Sequence, residues 1–274
     1  MAKRNRKWND ATIDKKMKEG HGQGEGVDYR PWYTIYDFNS IGIDRPYKGK
    51  TVPREHHLLS NLEFYYFLLL DWSDSVVDIR ERFPLLDVEE TARIAESLNI
   101  SHPSDKESGT LKVLTSDFLI VTKINGEYEK KVRTLTYSKD LIREKTIQRF
   151  EIERMYWTDR NIDWGIVTEK EIPMVIVKNL IWIDDDYHLK NIKGFSEPEI
   201  ADLVEILEVN IQNQELSIFD LTKSLDNQYN TDIGTFLHLF KHLVSKKRLR
   251  VDISKPIEIS KMFTSEVEFL GKRG

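Results

Sequence analysis

The sequence predicts an α/β domain followed by a smaller, mainly helical module that ends in a β wing. Three observations carry that expectation. Between residues 56 and 72, Leu58, Leu59, Leu62, Tyr65, Tyr66, Leu69 and Leu70 recur at intervals of three and four, the period of a helix with one buried stripe. Residues 115–122 (TSDFLIVT) and 127–137 are β-rich runs on either side of Asn125 and Gly126, a dipeptide suited to a two-residue hairpin turn because both residues tolerate positive φ. Residues 199–212, 217–228 and 231–247 read as three helices followed by a β run at 249–253, the order of a helix-turn-helix with a wing.

The other elements follow in order. Residues 1–20 hold seven Lys/Arg against three Asp/Glu, and the stretch GHGQGEG at 20–26 has four glycines in seven positions. Together they predict a basic arm and a flexible joint over residues 1–26; a frayed terminus and an arm along a DNA backbone fit equally well. No strand precedes these glycines and no Gly-Lys-Ser/Thr ends them, so a P-loop is excluded. Residues 76–82 read as a strand closed by Pro84, and 89–98 as a short helix. A charged amphipathic helix at 143–160 carries Ile147, Phe150, Tyr156 and Trp157 on its apolar side, and a strand at 163–168 and a helix at 171–182 follow. Helix, strands and crossover helix around one sheet make an α/β domain. Asp184, Asp185 and Asp186 open a polar segment, which sets the two domains at 27–184 and 185–274.

Composition narrows the function classes. At 274 residues the chain exceeds the ~150 of a single typical domain. With 41 Lys/Arg against 46 Asp/Glu the formal charge is −5, which excludes a uniformly basic nucleic-acid coat and leaves room for a local patch. An apolar content of 39% with six Trp, eleven Tyr and twelve Phe rules out disorder of the whole chain. The absence of cysteine excludes disulfides, thiolate catalysis and cysteine-ligated zinc or iron–sulfur centres, and is compatible with a reducing cytosol. The run at 64–70 is far shorter than the ~20 apolar residues that span a bilayer. Residues 1–20 are mostly polar and hold no apolar run, so neither a membrane anchor nor a secretory signal is expected.

Two acids stand out. Glu63 has Leu59, Tyr66, Phe67 and Leu70 at i−4, i+3, i+4 and i+7, so it points toward apolar surface and requires neutralisation, hydrogen bonds or a cation. Asp117 opens an otherwise apolar strand, where aspartate is disfavoured. Either residue alone reads as a satisfied carboxylate or a strand cap; as a pair on a helix and a strand they form an oxygen donor set for Mg²⁺ and for metal-assisted phosphodiester hydrolysis. Among the histidines, His56 and His57 are adjacent and so face different sides of a helix. His238 and His242 share a helix face without an acidic neighbour in sequence and read as solvated. Lys241, Lys246, Lys247, Arg248 and Arg250 lie together with no acid between them. In a winged helix they mark the end of the third helix and the start of the wing, where a DNA contact and a protein-docking face are equally open.

The segments HHLLSNLE (56–63), VVDIRERFPLL (76–86), TSDFLIV (115–121), EIERMYW (151–157) and IVTEKEI (166–172) resemble, in order and spacing, the TnsA-type endonuclease subunit of heteromeric bacterial transposases. The resemblance is specific over about residues 20–182, and the C-terminal third agrees in size and expected fold. It implies a restriction-endonuclease-like nuclease domain followed by a winged-helix domain. It also implies nicking of the transposon at its 5′ ends with Mg²⁺, or Mn²⁺ in its place, beside a DDE-type transposase that cuts and joins the 3′ ends. Contact with an AAA+ ATPase regulator through the C-terminal region is implied as well, in a DNA-associated protein of the bacterial cytoplasm. By motif, the first acid is Glu63 and the second Asp117.

The third part of the motif departs from the family. Ungapped alignment back from EIERMYW places the family lysine at Thr136, and a metal-proximal polar residue at Thr134, two positions earlier on the same strand face. A threonine supplies no ammonium to the phosphate. Lys139 is the possible substitute, though its odd offset turns it off that face. The expectation is a weakened endonuclease, with a non-cleaving scaffold bridging transposase, ATPase and DNA ends as the alternative.

Overall fold

The computed structural model describes residues 8–37, 46–189, 192, 194–213 and 215–270; the first residues of the expected basic arm lie outside this set. The chain forms two compact units, Met1–Ile172 and Pro173–Gly274. The division therefore falls ahead of the acidic segment where composition placed it.

In the first unit, α1 (Asp10–Lys18) is started by Asn9, whose side chain accepts from the Thr12 amide at 2.9 Å. The glycines that follow are folded turns rather than a flexible joint. Gly22 has φ +77 and donates to Arg30 O at 2.6 Å, and a Cβ there would lie 2.3 Å from Pro84 Cγ. Glycine is required by this close approach.

A short ladder, β1 (Tyr47–Lys48) with β2 (Glu55–His56), precedes α2 (Asn61–Trp72). The expected helix start at 56 is corrected: His56 lies in β2, and Ser60 caps the helix by accepting from the Glu63 amide at 3.2 Å. Next come β3 (Val76–Leu85), α3 (Val88–Ser97), β4 (Leu114–Ile124), β5 (Glu127–Leu135), α4 (Glu144–Thr158) and β6 (Asp163–Val167). The sheet order is β3-β4-β5-β6, antiparallel except for β5 and β6, which are parallel and joined through α4. Asn125 and Gly126 close the β4–β5 hairpin with φ +53 and +88. Pro84 does not close its strand but pairs opposite Thr115, which is possible because β3 is an edge strand and its outer amides are not needed for the ladder. Leu85, Leu119, Val121 and Val132 of the sheet pack with Ile94 and Ala95 of α3 and with Ile152, Tyr156 and Trp157 of α4.

The second unit contains α5 (Met174–Asp184), α6 (Glu197–Asn213), α7 (Ile218–Gln228), α8 (Thr235–Ser245) and a ribbon of β7 (Leu249–Arg250) with β8 (Glu268–Phe269). Helix α5 belongs here because the Asn179 side chain donates to Ile253 O and Lys255 O and accepts from the Ile257 amide. The third expected helix starts later, at Thr235: Asp226 accepts from the amides of Gly234 and Phe236, at 2.7 and 3.0 Å, and holds the turn before it. Leu207, Ile218, Leu221, Phe236, Leu239, Phe240 and Leu243 are fully buried and form this unit's core. The β run expected at 249–253 contributes only two residues to the ribbon. Among the described residues no helix is long and apolar enough to cross a membrane.

Candidate active site

Glu63 stands in the first turn of α2, where the capping interaction that starts the helix also fixes its side chain. Its Oε2 accepts from the Leu59 amide at 2.9 Å and its Oε1 from the Ser60 hydroxyl at 3.0 Å. Asp117 lies in β4 and is held from the neighbouring strand by the Leu135 amide, which donates to Oδ2 at 2.6 Å. Both side chains are buried, Glu63 6% and Asp117 7% exposed. The structure brings these two acids together on one group. Arg82 Nη2 lies 2.5 Å from Glu63 Oε1, and Arg82 Nη1 lies 2.7 Å from Asp117 Oδ1. Burial pushes the Glu63 carboxyl above its ordinary pKa, opposed by Arg82 and reinforced by Asp117.

Arg82 was not legible as a site residue. It falls between the Glu81–Phe118 and Phe83–Ser116 pairs, directly across from Asp117, and has φ +51 inside a strand. The normal alternation of faces breaks here. Ser116 accepts from Trp157 of α4, whereas Phe118, of the same parity, packs on Tyr66 of α2. Its neighbour Glu81 anchors the distortion: the buried carboxylate accepts from Arg54 Nη1 and Nη2 at 2.8 and 2.5 Å and from the His57 amide at 3.0 Å, and lies 2.9 Å from His56 Nδ1. Burial alone would raise the Glu81 pKa, but the hydrogen bonds from Arg54 and His56 hold it far below the usual carboxylate range. His56 and His57 are thus tied to a carboxylate in β3 and are not on a helix.

A third acid, Glu153 of α4, is fully buried beside the pair and was also missed. Its Oε2 accepts from the hydroxyls of Thr134 at 2.6 Å and Ser116 at 3.1 Å, and burial lifts its pKa to about 7. The available signal was its position, three residues after Phe150 and four before Trp157, on the apolar side of the helix. Thr134 therefore does not join Glu63 and Asp117; its hydroxyl is committed to Glu153. Thr136 follows the end of β5 and its amide donates to Val167 O at 3.1 Å. Lys139 does not replace a charge at 136: it lies in the 3-10 turn Ser138–Ile142, with Nζ over the Tyr137 ring at 5.6 Å. Among the described residues no group of three or more His, Cys, Asp or Glu could hold a metal ion.

In the second unit the expected basic patch is largely occupied. Lys241 is buried, 6% exposed, and pairs with Asp186 at 2.6 Å. Asp186 also takes His238 Nδ1 at 2.8 Å, and its carbonyl lies 3.0 Å from His242 Nδ1, so the histidine pair has the acidic partner that sequence proximity did not reveal. Lys246 stacks over Tyr187 at 3.5 Å, Arg248 pairs with Glu208 at 2.6 Å and Arg250 with Glu268.

Comparison with known proteins agrees with this architecture. Residues 73–169 match the family described as TnsA-like endonuclease N terminal, and residues 171–253 match TnsA endonuclease C terminal. The chain is 35% identical over 262 residues to the Transposon Tn7 transposition protein TnsA of Escherichia coli, covering 95% of this chain and 93% of that protein. On these matches the chain belongs to the TnsA endonuclease family.

Proposed function

We propose that this chain is the 5′-nicking subunit of a heteromeric transposase, acting in the bacterial cytoplasm on transposon-end DNA beside a DDE-type transposase and under an AAA+ ATPase regulator. The observation that carries the reading is the convergence of Glu63 and Asp117 on one cationic group. An all-oxygen set of two carboxylates suits Mg²⁺ or Mn²⁺, which keeps water or phosphate oxygens in its remaining positions. Glu63 and Asp117 would hold the ion, and when bound it would activate water and neutralise charge on a phosphodiester. The rest of the chemistry belongs to the chain. Leu59, Ser60 and Leu135 fix the carboxylate oxygens before substrate arrives, so little ordering remains at the moment of reaction. In the second unit, three helices and the β7–β8 ribbon support a winged-helix module for contacts with the ATPase or DNA.

The test is single-turnover nicking of end-labelled transposon DNA with Mg²⁺ and the partner transposase. Glu63→Gln and Asp117→Asn should each lower the rate by at least about 100-fold while DNA binding persists. Equal rates in all three chains would remove the assignment. Thr136 favours a second reading, a weakened or non-cleaving scaffold, because that position supplies no charge. Absence of nicking both in the parent and in Thr136→Lys would select the scaffold.

A further inference from the structure

We infer that Arg82 is the positively charged catalytic residue of this cleavage centre, contacting a non-bridging oxygen of the scissile phosphate. The inference rests on the reading of Glu63 and Asp117 as the cleavage acids. Phosphodiester hydrolysis builds negative charge on the phosphoryl oxygens, so a cation beside the acids stabilises the transition state more than the ground state. Position 136, on the β5 side of Asp117, is a neutral threonine. Lys139 is turned onto Tyr137, and Arg149 is directed at Glu153 at 3.7 Å. Arg82 approaches from the opposite side of Asp117, on β3, and among the described residues it is the cation that touches both acids.

Three features separate this residue from a structural ion pair. The guanidinium spends one bond from each of Nη1 and Nη2 on the acids, and among the described residues its buried Nε has no hydrogen-bond partner, so N–H donors remain for a phosphate oxygen. The side chain is 16% exposed, so part of it remains open to solvent. The backbone has φ +51, a conformation that costs an arginine energy and persists only where its surroundings impose it; Glu81, bound by Arg54, His56 and His57, supplies that constraint. A guanidinium is planar and permanently charged, so its charge is present at the site at any working pH.

The experiment compares the full chain with Arg82→Gln, Arg82→Lys and the double variant Arg82→Gln/Thr136→Lys, each with partner transposase, end-labelled DNA and Mg²⁺. Arg82→Gln should slow single-turnover nicking by at least about 100-fold, with Mn²⁺ affinity by calorimetry equal to or tighter than the parent's because a competing cation has been removed. Arg82→Lys should retain activity within about tenfold, and the double variant should recover at least about tenfold over Arg82→Gln by returning a charge from β5. Parental nicking in Arg82→Gln, failure of the double variant to recover, or loss of Mn²⁺ affinity together with nicking would overturn the inference; the last outcome would leave Arg82 holding the acids and nothing more. If Glu63→Gln and Asp117→Asn also nick normally, the acid-pair reading falls and this one with it; if they are dead while Arg82→Gln is not, only this one falls. Should Arg82→Gln not fold, the parent carries the test: the Arg82 Nε–H nuclear magnetic resonance signal, assigned by its loss in Arg82→Lys, should move on adding end DNA, and a stationary signal overturns the proposal.

Discussion

The Thr134 hydroxyl donates to Glu153 Oε2 at 2.6 Å, joining the second-last residue of β5 to the middle of α4 beneath the acid pair. With Ser116 donating to the same oxygen, Glu153 has, among the described residues, two hydroxyl donors and no full countercharge, since Arg149 lies 3.7 Å from its other oxygen. A carboxyl in that position is easier to keep protonated than ionised.

Its folded pKa of about 7 lies above the unfolded value of 4.5, so the stability it contributes is fully present below pH 4.5 and is lost as pH rises through 7. In metal-free buffer the parent should lose up to about 3 kcal/mol across that window from this group. Glu153→Gln, which copies the neutral acid, should flatten that part of the profile in urea titrations from pH 5 to 8. An unchanged slope would mean that Glu153 is ionised throughout.

Glu81 has the opposite sign. Its folded pKa is depressed, so its contribution is present above the ordinary carboxylate range and is lost as pH falls toward the folded value. Glu81→Gln leaves Arg54 buried without its partner and should cost about 3–5 kcal/mol in urea denaturation at pH 7. The deficit should shrink as the pH is lowered below about 4, where the parent begins to lose the same pair.

Thr136→Lys separates two accounts of the cleavage step. If Arg82 already serves the phosphate, the single substitution should change single-turnover nicking by less than about tenfold. A rise of about 100-fold or more would show that the parent lacked the charge and would restore the weakened-enzyme expectation. Lys139→Ala should leave the rate within about threefold in either case, because its ammonium lies over Tyr137.

In the second unit, Lys241→Ala should behave as a core lesion. It removes the cation that lies 2.6 Å from the buried Asp186 carboxylate, so a loss of about 3–5 kcal/mol is expected, with the salt dependence of DNA binding altered little. Lys246→Glu with Lys247→Glu tests the surface instead: a reduced salt slope would indicate phosphate contact, and loss of ATPase binding with an unchanged slope would indicate a docking face.

A chain ended after Ile172 should fold on its own and unfold cooperatively, since the first unit's sheet and helices are complete there. A cut after residue 184 should instead leave α5 without the partners that its Asn179 binds, and should expose Val177, Leu180 and Ile183. Limited proteolysis of the two fragments reads the difference: α5 should be digested rapidly in the longer one.

Features that depend on a few neighbouring residues were determined by the sequence itself. The Asn125 and Gly126 turn, the order of strands and helices, and the apolar spacing in α2 are set by local φ preference and side-chain period. Glu63 and Asp117 were legible because a carboxylate on an apolar helix face or in an apolar strand is costly enough to stand out. The rest was decided by tertiary structure. Arg82 looked like one more charge in a charged strand until β3 paired with β4 and set it opposite Asp117. Glu153 gained its raised pKa only when α4 closed over Thr134 and Ser116, and Lys241 lost its place in a basic patch when Asp186 came within 2.6 Å. Charges act through space and are neutralised by whatever the fold brings near them, so which ones face solvent, a metal or each other is fixed by pairings between residues tens of positions apart.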